Sequence, residues 1–188
     1  MKRLVALLVL LALALGSTAG PATADDRKAP SRDQWLADVN KAMKGSGAYL
    51  RERIESIGID ELLAINLDID NSSVASYYDG SGAGAIPRVL KFANLAQSRG
   101  VALLFNTGRG NAHRESTLNQ LAAAGYDVAG LCLRKKGETI PHGKQRCRDR
   151  FIAQGYTLIA NVGNNPTDFT GDGYEKAYRL PNYKGLLG

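Results

Sequence analysis

An uncharged, mostly apolar run at residues 62–67 ends abruptly in two carboxylates, Asp68 and Asp70. Such a run is typical of a strand that is buried on both faces, as in a parallel sheet. In an extended chain, residues i and i+2 point to the same side, so both acids can face one cleft. One carboxylate could then attack a substrate while the second transfers protons. The same segment, Asp-Asn-Ser-Ser, could instead be a simple turn that closes the strand.

The first 24 residues have the pattern of a secretory signal peptide. Lys2 and Arg3 precede an apolar stretch at residues 4–15, and the small residues Ala22 and Ala24 flank Thr23 just before Asp25. We expect cleavage after Ala24. The apolar stretch is short for a membrane span, and no cysteine near the cut could carry a lipid. The sequence therefore predicts a secreted or periplasmic protein without a stable membrane anchor.

Cleavage would leave residues 25–188, which we expect to form a single domain with a helical lead-in at about 31–58. The formal charge of +6 would fall to +4, because the removed segment carries two basic residues and no acid. This charge is spread along the chain, so no nucleic-acid partner is expected. Both cysteines, Cys132 and Cys147, lie in the part that would be exported. They could form a disulfide or remain a buried pair of free thiols.

Apolar strands alternate with helices along the rest of the chain. Ser31 and Gln34 have the spacing of a capping box at the start of the first helix. Later strands are predicted at residues 101–105, 128–133, 156–162 and 178–180, with helices from Pro87 and from about Gly143. This alternation predicts a Rossmann-like α/β fold with a central parallel sheet flanked by helices. In such folds ligands bind at the carboxyl ends of the strands.

Chemically useful side chains occur at or near the predicted carboxyl ends of four strands. Together they would supply a nucleophile, a proton carrier, a hydroxyl donor, a cation and oxygen ligands. They are Asp68, Asp70, Thr107, Lys144, Asn164 and Asp168.

In order and spacing, four segments resemble the four motifs of the haloacid dehalogenase superfamily, and in particular its exported acid phosphatases. That branch includes bacterial lipoprotein acid phosphatases and plant vegetative storage proteins. The resemblance runs from about Trp35 to Asn182. The four segments are Asp68-Ile-Asp70-Asn-Ser72, Thr107-Gly108-Arg109, Lys144 and Gly163-Asn164-Asn165-Pro-Thr-Asp168.

The resemblance implies a role for each of these residues. Asp68 would take the phosphoryl group as an aspartyl-phosphate, and Asp70 would protonate the leaving alcohol and later activate water. Thr107 and Lys144 would hold the phosphoryl oxygens. Residues expected to bind the substrate are Ser72, Gly108 and Arg109.

The resemblance also implies a Mg²⁺ site, held by the carboxylate of Asp68, the backbone carbonyl of Asp70 and the side chain of Asn164. The superfamily commonly has aspartate where this chain has Asn164, so weaker Mg²⁺ binding is expected. Asp168 would orient either a metal-bound water or Lys144.

The short segment between Asp70 and Thr107 leaves no room for a large cap domain. We expect an open site, bordered by Tyr77, Tyr78 and the N-terminal helices, that accepts small phosphomonoesters.

The function implied is a secreted, Mg²⁺-dependent acid phosphatase. The alternative, which Asn164 favours, is a non-catalytic protein that binds a phosphate ligand or serves as a store. A nucleotide-binding protein is disfavoured, because no Gly-x-Gly-x-x-Gly follows the first strand. His113 and His142 do not directly follow a strand, so we interpret both as structural or exposed rather than as a phosphohistidine site.

Overall fold

The computed structural model describes residues 28–188, so the predicted signal peptide at residues 1–24 lies outside the described part. None of the helices within 28–188 is long and apolar enough to cross a membrane. Within this described range, three short 3₁₀ turns occur at Gly80–Gly82, Asn111–His113 and Pro166–Phe169. The helices and strands are α1 (Arg32–Ala42), α2 (Ser46–Glu55), β1 (Leu62–Leu67), α3 (Ser76–Asp79), α4 (Pro87–Gln97), β2 (Ala102–Gly110), α5 (Arg114–Ala123), β3 (Gly130–Arg134), α6 (Ile140–Ala153), β4 (Tyr156–Gly163) and β5 (Lys176–Arg179).

The five strands form one sheet in the order β3-β2-β1-β4-β5, and every neighbouring pair is parallel. β1 lies at the centre, where Leu67 is in register with Phe105 of β2 and Val162 of β4. The predicted fold class is therefore confirmed. Because all the strands run the same way, the loops that follow them meet along one edge.

Successive side chains of each strand point to opposite faces of the sheet, so the core forms two layers. Leu63, Ile65 and Leu67 face the larger apolar cluster, to which α1, α2, α4 and α5 contribute. Ala64 faces the smaller cluster, which contains Cys147 and Phe151 of α6. The sheet thus has α6 on one face and the other long helices on the opposite face.

The N-cap predicted for α1 is present, although only half of the capping box forms. The hydroxyl oxygen of Ser31 accepts a hydrogen bond from the backbone N–H of Gln34 at 3.2 Å. The Gln34 side chain instead donates to Asp38 one turn further along, at 3.2 Å. The reciprocal bond of the box is therefore replaced by a contact within the helix.

Several element boundaries differ from those predicted. β2 continues to Gly110, because its pairing with β3 runs through Thr107 and resumes at Gly110 after an irregularity. Helix α6 begins at Ile140 rather than near Gly143, with Pro141 in its first turn, where a missing N–H costs nothing. β3 begins at residue 130 instead of 128, and α2 ends at residue 55, before the predicted end of the helical lead-in at about residue 58. The last strand covers residues 176–179 rather than 178–180.

Cys132 of β3 and Cys147 of α6 form a disulfide, with their Cα atoms 5.6 Å apart. The disulfide alternative is therefore confirmed over the free buried pair. It ties α6 to the sheet one turn beyond Lys144.

The connection from β1 to β2 contains only α3, the first 3₁₀ turn and α4. The chain has no large cap domain at this point, as the motif spacing predicted.

Candidate active site

Asp68 follows directly after β1 and is fixed there by the turn it begins. Its backbone N–H donates to the carbonyl of Val162 at 2.9 Å, so pairing with β4 extends to this residue. The hydroxyl of Ser72 lies 2.8 Å from the Asp68 Oδ2 atom, and Ser73 donates to the Asp68 carbonyl at 2.6 Å. The Asp-Asn-Ser-Ser segment therefore forms a turn and at the same time holds a carboxylate at the edge of the sheet.

Lys144 in α6 provides a buried cation beside Asp68. Its Nζ atom contacts the Asp68 carboxylate, lies 2.8 Å from Asp168 Oδ1, and donates to the Asn106 carbonyl at 2.6 Å. The side-chain amide of Asn106 in turn donates to the Lys144 carbonyl at 2.8 Å. Lys144 is only 3% exposed, so its charge is balanced by the two carboxylates rather than by water.

The environment shifts the pKa values of both partners upward. Burial raises the pKa of Asp68 to about 6, the charge of Asp168 acts in the same direction, and Lys144 offsets part of the effect. Burial alone would lower the pKa of Lys144, but the carboxylates of Asp68 and Asp168 raise it above its usual value. At neutral pH the site therefore holds a charged lysine and an ionised Asp68.

Asp168 is placed against Lys144 by the loop after β4. Its Oδ2 atom accepts a hydrogen bond from the Asn165 backbone N–H at 2.9 Å, and the Asn161 amide donates to its carbonyl at 2.8 Å. A Cβ atom added at Gly163 would overlap the Asp168 carboxylate, so only glycine permits this close approach. Asp168 thus contacts Lys144, one of the two groups that it was predicted to orient.

Asp70 lies in a different environment, two residues beyond Asp68. Arg109 donates to both of its oxygens, at 2.9 and 2.7 Å, and Ser76 donates to Oδ1 at 2.6 Å. Burial raises the pKa of Asp70, but the hydrogen bonds from Arg109 and Ser76 outweigh it and hold the pKa below its usual value. The Asp70 side chain is 43% exposed, so solvent or a substrate can reach it.

Arg109 connects Asp70 to β2 and α5. Its guanidinium donates to the Gln120 side chain at 2.8 Å and to the Thr117 hydroxyl at 3.3 Å. Its backbone N–H donates to the Thr107 hydroxyl at 3.2 Å. Arg109 also lines the cleft described below, so the predicted substrate-binding position is close to the two carboxylates.

The residues predicted to hold Mg²⁺ have a suitable set of donors. Ser72 Oγ lies 2.8 Å from Asp68 Oδ2 and 3.2 Å from Asn164 Oδ1, so these two oxygens converge on one small region. Both are hard oxygen donors, and an ion held by few protein atoms would complete its shell with water. The Asn164 Nδ2 atom is buried without a hydrogen-bond partner in the described chain. Nowhere within residues 28–188 do three or more histidine, cysteine or acidic side chains form a possible metal cluster.

The site opens into a cleft of about 400 Å³. The cleft contains most of the predicted residues and several that the sequence did not indicate, such as Leu187, which is fully buried and accepts a hydrogen bond from Asn71. Its lining residues are Asp68, Asp70, Thr107, Gly108, Arg109, Ile140, Lys144, Asn165, Thr167, Asp168, Leu187 and Gly188.

Ser72 and the two tyrosines do not occupy the places predicted for them. Ser72 is fully buried beneath Asp68, so it supports the carboxylate and does not line the substrate cleft. Tyr78 stacks on Trp35 with a centroid distance of 4.8 Å, and Tyr77 packs on Tyr78. This aromatic packing joins α3 to α1, and neither tyrosine is among the residues that line the cleft.

Asn106 was not predicted as a site residue, yet it holds Lys144 through both its backbone carbonyl and its side-chain amide. The sequence feature that could have indicated Asn106 is its polar side chain directly before Thr107, at the end of an apolar strand.

Residues 75–186, more than half of the chain, match the family model for "HAD superfamily, subfamily IIIB (Acid phosphatase)". The chain belongs to this family. The matched segment includes Thr107, Lys144 and Asn164, while Asp68 and Asp70 lie just before it. The predicted resemblance to haloacid dehalogenase-type acid phosphatases is thereby confirmed.

Among curated relatives, Acid phosphatase 1 of Solanum lycopersicum is 24% identical over 156 residues, covering 80% of this chain and 58% of the relative. The Stem 28 kDa glycoprotein of Glycine max is 28% identical over 120 residues, covering 60% of this chain and 47% of the relative. The chain thus spans roughly half of the length of these relatives.

Solved structures show the same fold. The class C acid phosphatase of Bacillus anthracis superposes with a TM-score of 0.67 at 18% identity, and its tungstate-bound form with a TM-score of 0.65 at 19% identity. Each comparison covers 83% of both chains.

Proposed function

We propose that this chain is an exported, Mg²⁺-dependent acid phosphatase that hydrolyses small phosphomonoesters through an aspartyl-phosphate on Asp68. The observation that carries the proposal is the pairing of a nearly buried carboxylate, Asp68, with the ammonium of Lys144 at the mouth of an open cleft. A carboxylate that is ionised at neutral pH can attack phosphorus without a base to activate it. The exposed acid that such a reaction also needs, Asp70, borders the same cleft.

The proposed reaction has two steps. In the first, an Asp68 oxygen forms a bond to phosphorus, the ester P–O bond breaks, and protonated Asp70 gives its proton to the departing alcohol oxygen. In the second, Asp70 takes a proton from water as the water oxygen attacks phosphorus. The Asp68–phosphorus bond then breaks and inorganic phosphate leaves. Thr107 and Lys144 stabilise the charge on the phosphoryl oxygens in both steps.

Arg109 supports the second step, in which Asp70 acts as the base. Its two hydrogen bonds fix the direction of the Asp70 carboxylate, and its bonds to α5 fix its own position. The low pKa that results favours the form of Asp70 that accepts a proton from water.

Mg²⁺ would be held by Asp68, the Asp70 carbonyl and Asn164. When bound, it supplies positive charge that neutralises the substrate phosphate. It would also act on Asp68 in the same direction as Lys144, by favouring the ionised carboxylate. The match to the acid phosphatase family supports this assignment. The neighbour from Bacillus anthracis binds tungstate, a tetrahedral oxyanion like phosphate, which supports phosphate as the ligand of the cleft.

The function can be tested with a chromogenic phosphate monoester. Residues 25–188 should release the chromophore in Mg²⁺ and lose this activity in EDTA, with recovery when Mg²⁺ is restored. Lack of turnover at any Mg²⁺ concentration, in protein that melts cooperatively, would contradict the proposal. Export can be tested separately, because the mature protein should begin at Asp25.

A non-catalytic binding or storage protein is the second candidate, and the neutral Asn164 at a metal-binding position favours it. Such a protein would bind inorganic phosphate, as seen by calorimetry, and would still fail to hydrolyse every ester tested.

A further inference from the structure

A second groove, of about 580 Å³, adjoins the active-site cleft. It lies between the α3 region and the start of α5, and it shares Asp70 and Arg109 with the cleft. Asp68 lines the cleft but not the groove. The remaining groove residues are Ser76, Gly80, Ser81, His113, Ser116 and Gln120.

All the side chains of this groove are polar. Ser116 donates to the His113 carbonyl at 3.1 Å, and the Gln120 side-chain oxygen accepts from Arg109. The Ser81 hydroxyl and the His113 imidazole make no hydrogen bond to another described side chain or backbone group, and both residues are exposed. The groove therefore offers free hydrogen-bonding groups, and none of its side chains is a purely aliphatic one.

The groove lies on the side of the cleft toward which the leaving alcohol would depart. The leaving oxygen departs roughly in line with the attacking oxygen, on the opposite side of phosphorus. Asp70 must reach that oxygen in order to protonate it. Since Asp70 is the carboxylate that borders both the cleft and the groove, an alcohol that leaves beside Asp70 extends into the groove.

We propose that this groove binds the leaving group and selects phosphomonoesters of hydroxylated alcohols, such as polyols and sugars, over apolar esters. This inference rests on the proposed phosphatase function and adds the class of substrate to it. Ser81 and His113 recognise the hydroxyl groups of the alcohol. An apolar alcohol would displace water from these groups without replacing its hydrogen bonds.

Glycerol 1-phosphate and n-propyl phosphate form a suitable pair of test substrates, since they share a three-carbon skeleton and differ in two hydroxyl groups. The wild-type protein should hydrolyse glycerol 1-phosphate with the higher kcat/KM. In the double variant Ser81→Ala/His113→Ala, the ratio of the two kcat/KM values should fall by about three- to tenfold, the effect of losing one or two ordinary hydrogen bonds. His142→Ala removes the other exposed histidine of the described chain, outside the groove, and should leave the ratio unchanged.

The outcomes separate the two proposals. A wild-type ratio near one, or a ratio that survives in the double variant, would overturn the leaving-group site while the phosphatase function stands. An equal fall in the ratio with His142→Ala would also overturn it. If the wild-type protein hydrolyses neither ester in Mg²⁺, the proposed function fails and this inference fails with it.

Discussion

Asp68 and Asp70 are two residues apart, yet their surroundings give them different chemistry. The Asp68 side chain is 9% exposed and contacts a lysine, whereas the Asp70 side chain is 43% exposed and is held by an arginine. Burial raises the pKa of Asp68, while the hydrogen bonds of Arg109 and Ser76 lower that of Asp70. The first is suited to attack and the second to proton transfer, because only the second can exchange protons readily with solvent or a leaving group.

Replacement of Lys144 by methionine should destabilise the protein by about 3–5 kcal/mol, because Asp68 and Asp168 would then be buried without a cation. Urea denaturation would measure the loss. Lys136→Met, at an exposed position, is the matched control and should change the free energy of unfolding little.

The double variant Lys144→Met/Asp168→Asn distinguishes a lost ion pair from a poorly packed methionine. It should recover part of the stability, since one of the two unpaired charges is gone. If the double variant were less stable than Lys144→Met, the charge explanation would be wrong.

Asn164→Asp should tighten Mg²⁺ binding, because it adds a carboxylate next to Asp68 in the proposed metal site. Calorimetry should show a lower Kd, and half-maximal activity should need less Mg²⁺. Each tenfold change corresponds to about 1.4 kcal/mol. The added charge could also slow turnover by repelling the substrate phosphate, so kcat is measured separately. Binding and activity curves that overlay those of the wild type would count against Asn164 as a ligand.

The sequence predicted that the site residues lie close together, because the carboxyl ends of parallel strands meet at one edge of the sheet. Asp68, Asp70, Thr107 and Lys144 therefore line one cleft, as the strand pattern predicted. The pattern could not show how the side chains pair. The two bonds from Arg109 to Asp70 depend on where β2 ends and on how α5 packs, which local sequence does not determine.

At the scale of single elements, α6 has the largest influence on the site. It carries Lys144 into the core and is joined to β3 by the disulfide. A glutamate in the loop between them, Glu138, binds the Arg146 side chain of α6 at 2.6 Å and the Lys135 backbone N–H at 2.7 Å. The helix is therefore held at two adjacent residues near its middle, Arg146 and Cys147.

Removal of the disulfide, in the variant Cys132→Ala/Cys147→Ala, should lower the free energy of unfolding by about 3 kcal/mol, the chain-entropy value for a loop of 15 residues. Turnover should also fall, because α6 positions Lys144. A reductant should lower the Tm of the wild-type protein and leave that of the double variant unchanged. Equal effects of the reductant on both proteins would show that it does not act through this bond.

Glu138 should make stability depend on pH. Its hydrogen bond to Arg146 lowers its pKa from a usual value of 4.5 to about 2. A carboxyl whose folded-state pKa is depressed stabilises the fold above its unfolded pKa, and this stability is lost as the pH falls from about 4.5 to 2. Glu138→Gln should therefore flatten the decline of Tm in this window. Glu115→Gln, on the exposed side of α5, is the control and should retain the wild-type slope.

The elements themselves were largely predictable, and their ends were not. The apolar runs correctly indicated β1, β2, β3 and β4. β2 is longer than its apolar run because pairing with β3 continues through Thr107. Side-chain polarity does not report such pairing.

In the whole molecule, contacts between distant segments complete the site. Asn71, beside the two carboxylates, donates to the Leu187 carbonyl, and the Asn182 amide donates to Asn165 at 2.6 Å. The chain after β5 thereby returns to the cleft and forms part of its wall. No periodicity or motif in the sequence indicated this return, because it depends on tertiary packing alone.

The central claim is that Asp68 forms a covalent bond to the phosphoryl group, and its most direct test is the turnover of a chromogenic phosphate ester by Asp68→Asn. An amide is a far weaker nucleophile than a carboxylate, so turnover in Mg²⁺ should fall to the background rate while the melting curve stays cooperative. Asp149→Asn, at an exposed position of α6, should keep the wild-type rate. Turnover by Asp68→Asn near the wild-type rate would contradict the claim.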